Sequence, residues 1–409
     1  MNKAHHAPPR ANALIEALRG LGYSMATALA DIIDNSIAAC ADTVKVQFSW
    51  KGASSTITVF DNGEGMDRAA LHRAMRLGET SPLDIRPAHD LGRFGLGLKT
   101  ASFSQCRRLT VASVKNRTLN CLRWDLDVVA ASVDDGWYLL EGPQEGSESL
   151  LEPVTSGASG TLVLWEVLDR VVTAGYQEQD FLDAMDKVEQ HLALVFHRFL
   201  QRPSPRLRLF INERLVTPVD PFLLNHPATW TSQTVKLASE GGVIEIQCHV
   251  LPHKDRLNAR EHDIAAGPDG WTAQQGFYVY RNKRLLVAGS WLGLGQGRTW
   301  TKEEAHRLAR IRLDIPNTAD TDWKIDVRKS TARPPVMVRL RLTRLAEDTR
   351  KRARRVFAHR GRVAGLGDKQ PFTEAWRTEH FNGGVRYRID ENHIAVKACL
   401  LYTSDAADE

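Results

Sequence analysis

Between Met25 and Cys40 an apolar stripe of Leu29, Ile32, Ile33 and Ile37 recurs at the spacing of one helical face, with Asp31, Asp34 and Asn35 set into it. No other stretch constrains the fold as tightly. A helix this apolar has to bury that face, and acids at the edge of a buried stripe cost free energy unless they are paired or put to use. Asp31 and Asn35, four residues apart, project side by side, and Asp34 flanks them. From this segment alone, a solvated polar face and a working site are both open.

The flanking pattern alternates helical and extended segments. Strands are predicted over 44–50 and 56–60, joined by a turn at 51–55 that contains Gly52. A short helix capped by Asp67 follows over 67–77, and the polar, proline-containing stretch 78–91 reads as a lid-like loop. Strands over 108–114, 119–126 and 161–167 extend a sheet with one covered face, and a long helix over 181–200 closes a first domain, 1–200. A smaller α/β domain is expected over 206–332, with strands at 207–211, 243–250, 277–280 and 284–287 and a helical start at 302–308. Pro334 and Pro335 introduce a basic helical arm over 333–362, glycines at 361–367 break it, and 370–397 looks like the opening of a truncated module. Residues 398–409 do not continue the pattern and read as a non-native tail, which implies a longer natural chain.

Composition excludes some function classes. With 43% hydrophobic and 25% charged residues, the chain has no run approaching the ~18 apolar residues of a membrane span. The polar first ten residues lack the apolar core of a signal peptide. The five cysteines are scattered, odd in number and never spaced C-x-x-C, against a disulfide framework or a structural zinc, so a reducing cytoplasm is expected. The net charge of +5 is uneven: residues 333–362 hold eleven Lys and Arg against two acids, a local +9 that leaves −4 for the rest. Such a block is either a solvated helix face or a footprint for phosphate backbones, with Arg333, Arg339, Arg341, Arg350, Arg352, Arg354 and Arg355 as candidate contacts.

Two further motifs carry candidate chemistry. Asp61-Asn62-Gly63-Glu64-Gly65-Met66 directly follows the strand ending Thr58-Val59-Phe60. It is strong turn chemistry, and an Asp at a strand end with a glycine beside it also lets a planar ligand approach the backbone and donate to the carboxylate. Gly92-Arg93-Phe94-Gly95-Leu96-Gly97-Leu98-Lys99-Thr100 puts three glycines in six residues ahead of a predicted helix, where exposed N–H groups can cradle phosphate. Its order is not that of a P-loop or of a dinucleotide-binding turn.

Acid-x-x-Asp-Asn on a helix, then D-x-G-x-G after a strand, then a glycine-rich run, then Gly160-Thr161 opening a strand, resembles the Bergerat nucleotide site of the GHKL superfamily. That superfamily includes DNA gyrase B, the large heat-shock chaperones, MutL proteins, sensor histidine kinases and microrchidia (MORC) ATPases. The stretches L-A-D-I-I-D-N-S-I-A-A and G-R-F-G-L-G-L-K-T-A-S look most like its MORC and MutL side. The implied fold is α+β: a two-layer α/β sandwich ATP-binding domain, a smaller transducer-like α/β domain and a basic helical segment.

The resemblance also implies roles, with ATP and Mg²⁺ as ligands. Asp31 stands where the family's general base orients water, one methylene shorter than the usual Glu, so hydrolysis is expected to be slow. Asn35 would give an amide oxygen to Mg²⁺, and Asp34 would sit on the second shell or ribose side. Asp61 would accept from the adenine amino group, with Gly63, Gly65 and Met66 around the ring and Thr161 assisting through its hydroxyl. Gly92, Arg93, Phe94, Gly95, Leu96, Gly97 and Lys99 would close over the phosphates. Lys329, in Trp323-Lys324-Ile325-Asp326-Val327-Arg328-Lys329-Ser330, matches the transducer residue that reaches the terminal phosphate, with Lys324 and Arg328 as neighbours able to do the same. Tyr280 to Arg284 is read as structural. The implied cycle is ATP-gated homodimerisation, with DNA as the clamped object; a chaperone acting on protein clients and a nucleotide-binding scaffold with little turnover are the alternatives.

Overall fold

The computed structural model of the chain describes residues 9–79, 97–133, 136–201, 206–239, 242–319, 322–326, 331–358, 376–381, 384–389 and 396. These fall into two compact units, 1–361 and 362–409.

The first unit opens with α1 (Ala11–Arg19) and α2 (Met25–Ala38). Ser24 and Thr27 start α2 with a reciprocal capping box, the Ser24 hydroxyl accepting from Thr27 N at 3.2 Å and the Thr27 hydroxyl from Ser24 N at 3.0 Å. Strands β1 (Thr43–Ser49) and β2 (Thr56–Asp61) form the expected hairpin, with Gly52 in the left-handed region of its turn. Asp67 caps α3 (Arg68–Met75) through Ala70 N at 2.8 Å, and α4 (Gly97–Phe103) follows. Then come β3 (Arg108–Lys115), β4 (Thr118–Asp125), α5 (Leu126–Ala131), β5 (Leu140–Glu141), α6 (Glu152–Thr155) and β6 (Gly160–Glu166). The expected single long helix is two, α7 (Glu178–Val195) and α8 (His197–Leu200).

The next strand corrects a boundary. β7 (Arg208–Ile211), expected to open the second domain, pairs in parallel with β1, and β8 (Arg214–Leu215) pairs with β7. Both belong to an eight-stranded sheet ordered β5-β4-β3-β6-β2-β1-β7-β8. Helices α1, α2 and α7 contribute to the large core on one face. The other face is not bare: α6 covers Ala112, Val114, Leu162 and Leu164, so β6 is buried along its whole length.

A second core surrounds a sheet of β9 (Trp230–Thr231), β10 (Val235–Ser239), β11 (Gly242–Val250), β12 (Gly276–Arg281), β13 (Arg284–Ser290) and β16 (Ala309–Ile315), ordered β10-β11-β16-β12-β13 with β9 beside β11. Helix α9 (Ala259–Ala266) precedes β12, and a small hairpin, β14 (Gly295–Gln296) and β15 (Arg298–Thr299), follows β13. The helix expected at 302–308 is only a 3-10 turn, Glu304–His306. His306 and Leu308 are buried and β16 begins at Ala309, so packing overrides the local helix preference.

Helix α10 (Val336–Ala358) spans most of the basic run, but it is not a free arm. Val338, Leu342, Ala346 and Ala353 pack into the second core. In the second unit β17 (Trp376–Phe381) and β18 (Gly384–Ile389) form an antiparallel hairpin. No described helix is long and apolar enough to cross a membrane.

Candidate functional site

The helix that most constrained the fold presents its polar groups at distinct places. From Ala28 to Ser36 every residue of α2 is buried except Asn35, which is exposed. Asp31, one turn earlier, is 5% exposed, and its Oδ2 accepts a hydrogen bond from the Tyr23 hydroxyl at 2.9 Å. A methyl group added at Gly97, the first residue of α4, would lie 3.6 Å from that same oxygen. The helix pair α2 and α4 therefore brings Asp31 against the end of the glycine-rich run.

Asp34 has a partner that the local sequence does not indicate. Its carboxylate meets Arg284 of β13, with Arg284 Nε 3.2 Å from Oδ1 and 3.3 Å from Oδ2. The two side chains are 1% and 5% exposed. This buried ion pair ties α2 to the second sheet.

Asp61 ends β2 and is buried, and desolvation pushes its carboxyl above the ordinary carboxylate range. Its Oδ2 accepts from the Ser36 hydroxyl at 2.8 Å and its Oδ1 from Gly63 N at 2.9 Å. Register then assembles a row across three strands: Asp61 faces Thr161 on β6, and Thr161 faces Ser113 on β3. The Thr161 and Ser113 hydroxyls lie 2.9 Å apart, and Ser113 Oγ also accepts from Met66 N at 2.8 Å. Gly65 sits at φ +66, and a Cβ there would stand 1.9 Å from Val114 O, so close packing on β3 requires glycine whatever binds above it.

Lys99, expected to close over the phosphates, meets the backbone of α3. It is 3% exposed, its Nζ donates to Ala74 O at 2.8 Å, and burial lowers its pKa to about 8 against the opposing effect of Glu79. Gly92, Arg93, Phe94, Gly95 and Leu96 lie outside the described residues, as do Arg328 and Lys329. Of that last segment, Lys324 is exposed and Asp326 comes near enough to Tyr23 to raise its pKa further.

Taken together, a helix supplies a buried acid and an exposed amide, a strand end supplies a second buried acid, and a row of hydroxyls continues from it across the sheet. Residues 23–161 match the family described as histidine kinase-, DNA gyrase B-, and HSP90-like ATPase. This segment belongs to the GHKL ATPases. No curated protein matches the chain. The GHKL domain is an ATP-binding domain, and the matched residues contain Asp31, Asn35, Asp61, Gly65 and Thr161.

The donor set suits a metal carried in with its ligand. Among the described residues no group of three or more His, Cys, Asp or Glu is placed to hold an ion. Asn35 offers one exposed amide oxygen, which suits Mg²⁺, an ion that keeps much of its octahedron for phosphate oxygens and water. Three residues that hydrogen-bond the candidate side chains escaped sequence reasoning: Tyr23, Ser36 and Ser113. Ser36 had a visible signal, as the residue after Asp34-Asn35 on a helix already read as polar there. Ser113 had none, because only strand register carries it to Thr161.

Proposed function

We propose that the chain binds ATP with Mg²⁺, hydrolyses it slowly, and uses the cycle to gate homodimerisation around DNA. The observation that carries the ATPase reading is the pairing of Asp31, buried beside Gly97, with Asn35, exposed one turn later on the same helix. Asp31 orients water towards the terminal phosphate, Asn35 holds Mg²⁺ and Asp61 accepts from the adenine amino group. Thr161 and Ser113 extend that polar edge. Gly92, Gly95 and Gly97 close over the phosphates together with Arg93, Phe94 and Leu96, and Lys329 reaches the terminal phosphate. Positioning and charge stabilisation account for most of the acceleration in such phosphoryl transfer.

The DNA part of the proposal rests on the outer face of α10. Arg339, Arg341, Arg344, Lys351, Arg352, Arg354 and Arg355 are exposed there, with Arg333 just before the helix. Arg350 leaves the set of candidate contacts. It is 7% exposed, stacks over Trp300 and Trp291 at 4.6 and 5.0 Å from the ring centroids, and pairs with Glu303. Arg352 stacks over Trp230 at 4.0 Å while its surface stays exposed.

The test is ATP hydrolysis by the purified chain with and without duplex DNA, beside Asp31→Asn. Turnover that DNA stimulates and the substitution abolishes is the expected result. Tight ATP binding with neither turnover nor a DNA response overturns the clamp and leaves the scaffold reading, while binding of client proteins in place of DNA favours a chaperone.

A further inference from the structure

The hydroxyl on Asp31 comes from outside the helix that carries it. Tyr23 lies just before the Ser24 cap, eight residues upstream of Asp31, and its ring is buried in the core of the first sheet. Its hydroxyl donates to Asp31 Oδ2 at 2.9 Å. On its other side it meets the Thr100 hydroxyl, on α4 immediately after Lys99. We propose that Tyr23 is a positioning residue for ATP hydrolysis: it fixes the Asp31 carboxylate in the orientation that directs water, and it links that orientation to α4, the helix that ends the glycine-rich run.

Side-chain chemistry and the contacts of Tyr23 support the assignment. An aspartate has one fewer rotatable bond than a glutamate, so one fixed oxygen sets the plane of its carboxylate and the direction of the other. Burial and the neighbouring Asp31 carboxylate, with Asp326 adding to them, hold the Tyr23 hydroxyl far above the ordinary phenol range, so it donates at every working pH. Hydrogen bonds to charged groups are also stronger than those between neutral ones. The chain Thr100 to Tyr23 to Asp31 crosses from α4 to α2, so the placement of α4 bears on the hold on the acid.

The inference rests on Asp31 as the residue that orients water. The variant to make is Tyr23→Phe, which removes one oxygen and keeps the ring. We expect kcat to fall about tenfold or more, the range for a lost hydrogen bond to a charged group. The KM and the ATP dissociation constant, measured by direct titration, stay within about twofold. Thr100→Val, which removes the hydroxyl behind Tyr23 with little change of volume, lowers kcat in the same direction by a smaller factor. The decisive comparison uses Asp31→Glu, whose longer side chain carries the carboxylate past the tyrosine. There Tyr23→Phe loses most of its effect, whereas a purely structural tyrosine lowers kcat equally in both backgrounds. An unchanged kcat in Tyr23→Phe, a matched loss of ATP affinity, or an equal loss in both backgrounds overturns the proposal. If the wild-type chain turns ATP over and Asp31→Asn abolishes it while Tyr23→Phe does nothing, only the tyrosine assignment falls. If the wild type neither binds nor hydrolyses ATP, the ATPase reading itself falls.

Discussion

Removing Arg284 leaves the Asp34 carboxylate buried without its guanidinium. The two groups meet through Arg284 Nε at 3.2 and 3.3 Å, with side chains 5% and 1% exposed, so solvent screens the pair little. Arg284 also donates to Leu285 O and stacks 5.3 Å over the ring of Phe196, the residue between α7 and α8, which ties the pair to that junction and to β13 as well as α2. Breaking a buried pair by deleting one partner costs about 3–5 kcal/mol, mostly from the stranded charge, whereas replacing both partners with neutral groups of similar size is close to neutral. Arg284→Met keeps much of the stem that packs on Phe196 and removes the charge. We therefore expect a loss of about 3–5 kcal/mol, a fall of roughly 3–7 °C in melting temperature at this chain length. The double variant Asp34→Asn with Arg284→Met should recover more than half of that loss. Thermal unfolding followed by circular dichroism, with urea titration as a second measure, reads both. A loss for Arg284→Met below about 1 kcal/mol, the range of exposed pairs, or additive single and double variants, would refute a buried charge pair as the tie.

Two further outcomes concern charges whose burial was not expected. Lys99 has a pKa of about 8 against an ordinary 10.5, so the unfolded chain binds more protons between those values and stability rises as pH increases through that window. Below about pH 8 the full penalty is present, on the order of 3 kcal/mol, and Lys99→Met should abolish the gain between pH 8 and 10.5 seen by urea titration; an unchanged slope would place the amine in water. Arg350→Ala should destabilise the fold by about 2 kcal/mol through its two tryptophans and Glu303, while Arg354→Ala with Arg355→Ala shifts stability by less than about 0.5 kcal/mol. In a low-salt duplex-binding assay the second change should weaken binding, and equal effects of the two on melting temperature would contradict the packing described.

What the sequence made legible follows from local periodicity. The 3.6-residue repeat placed Asp31 and Asn35 on one edge of a helix, and turn chemistry placed Asp61 at a strand end, both of which the structure shows. The partners of these groups were not legible, because they come from distant chain: Arg284 lies 250 residues from Asp34, and Ser113 and Thr161 meet through the pairing of β3 with β6. The strand at 207–211 reads as part of the second domain for the same reason. Its neighbours in sequence lead into the second core, but its pairing partner, β1, lies more than 160 residues earlier. Along α10 the basic composition was plain, yet only packing separates Arg350, laid against two tryptophans, from Arg354 and Arg355 in solvent.

The ion pair and the proposed catalytic acid lie on the same turn of α2, and this bears on how a short side chain works. An aspartate at the general-base position has two ways to cover the missing reach: the helix advances, or a second water relays the proton. Advancing α2 moves Asp34 with Asp31, three residues apart on a rigid helix, and stretches a buried contact already near 3.2 Å. Lengthening that contact by the ~1.5 Å of one methylene costs about 1.5–2 kcal/mol at an effective dielectric near 20, comparable with the upper bound of about 2 kcal/mol for ordering one water. The Asp34–Arg284 pair thus opposes a helix shift, and on the proposed role of Asp31 a relay water covers the missing reach at no greater cost.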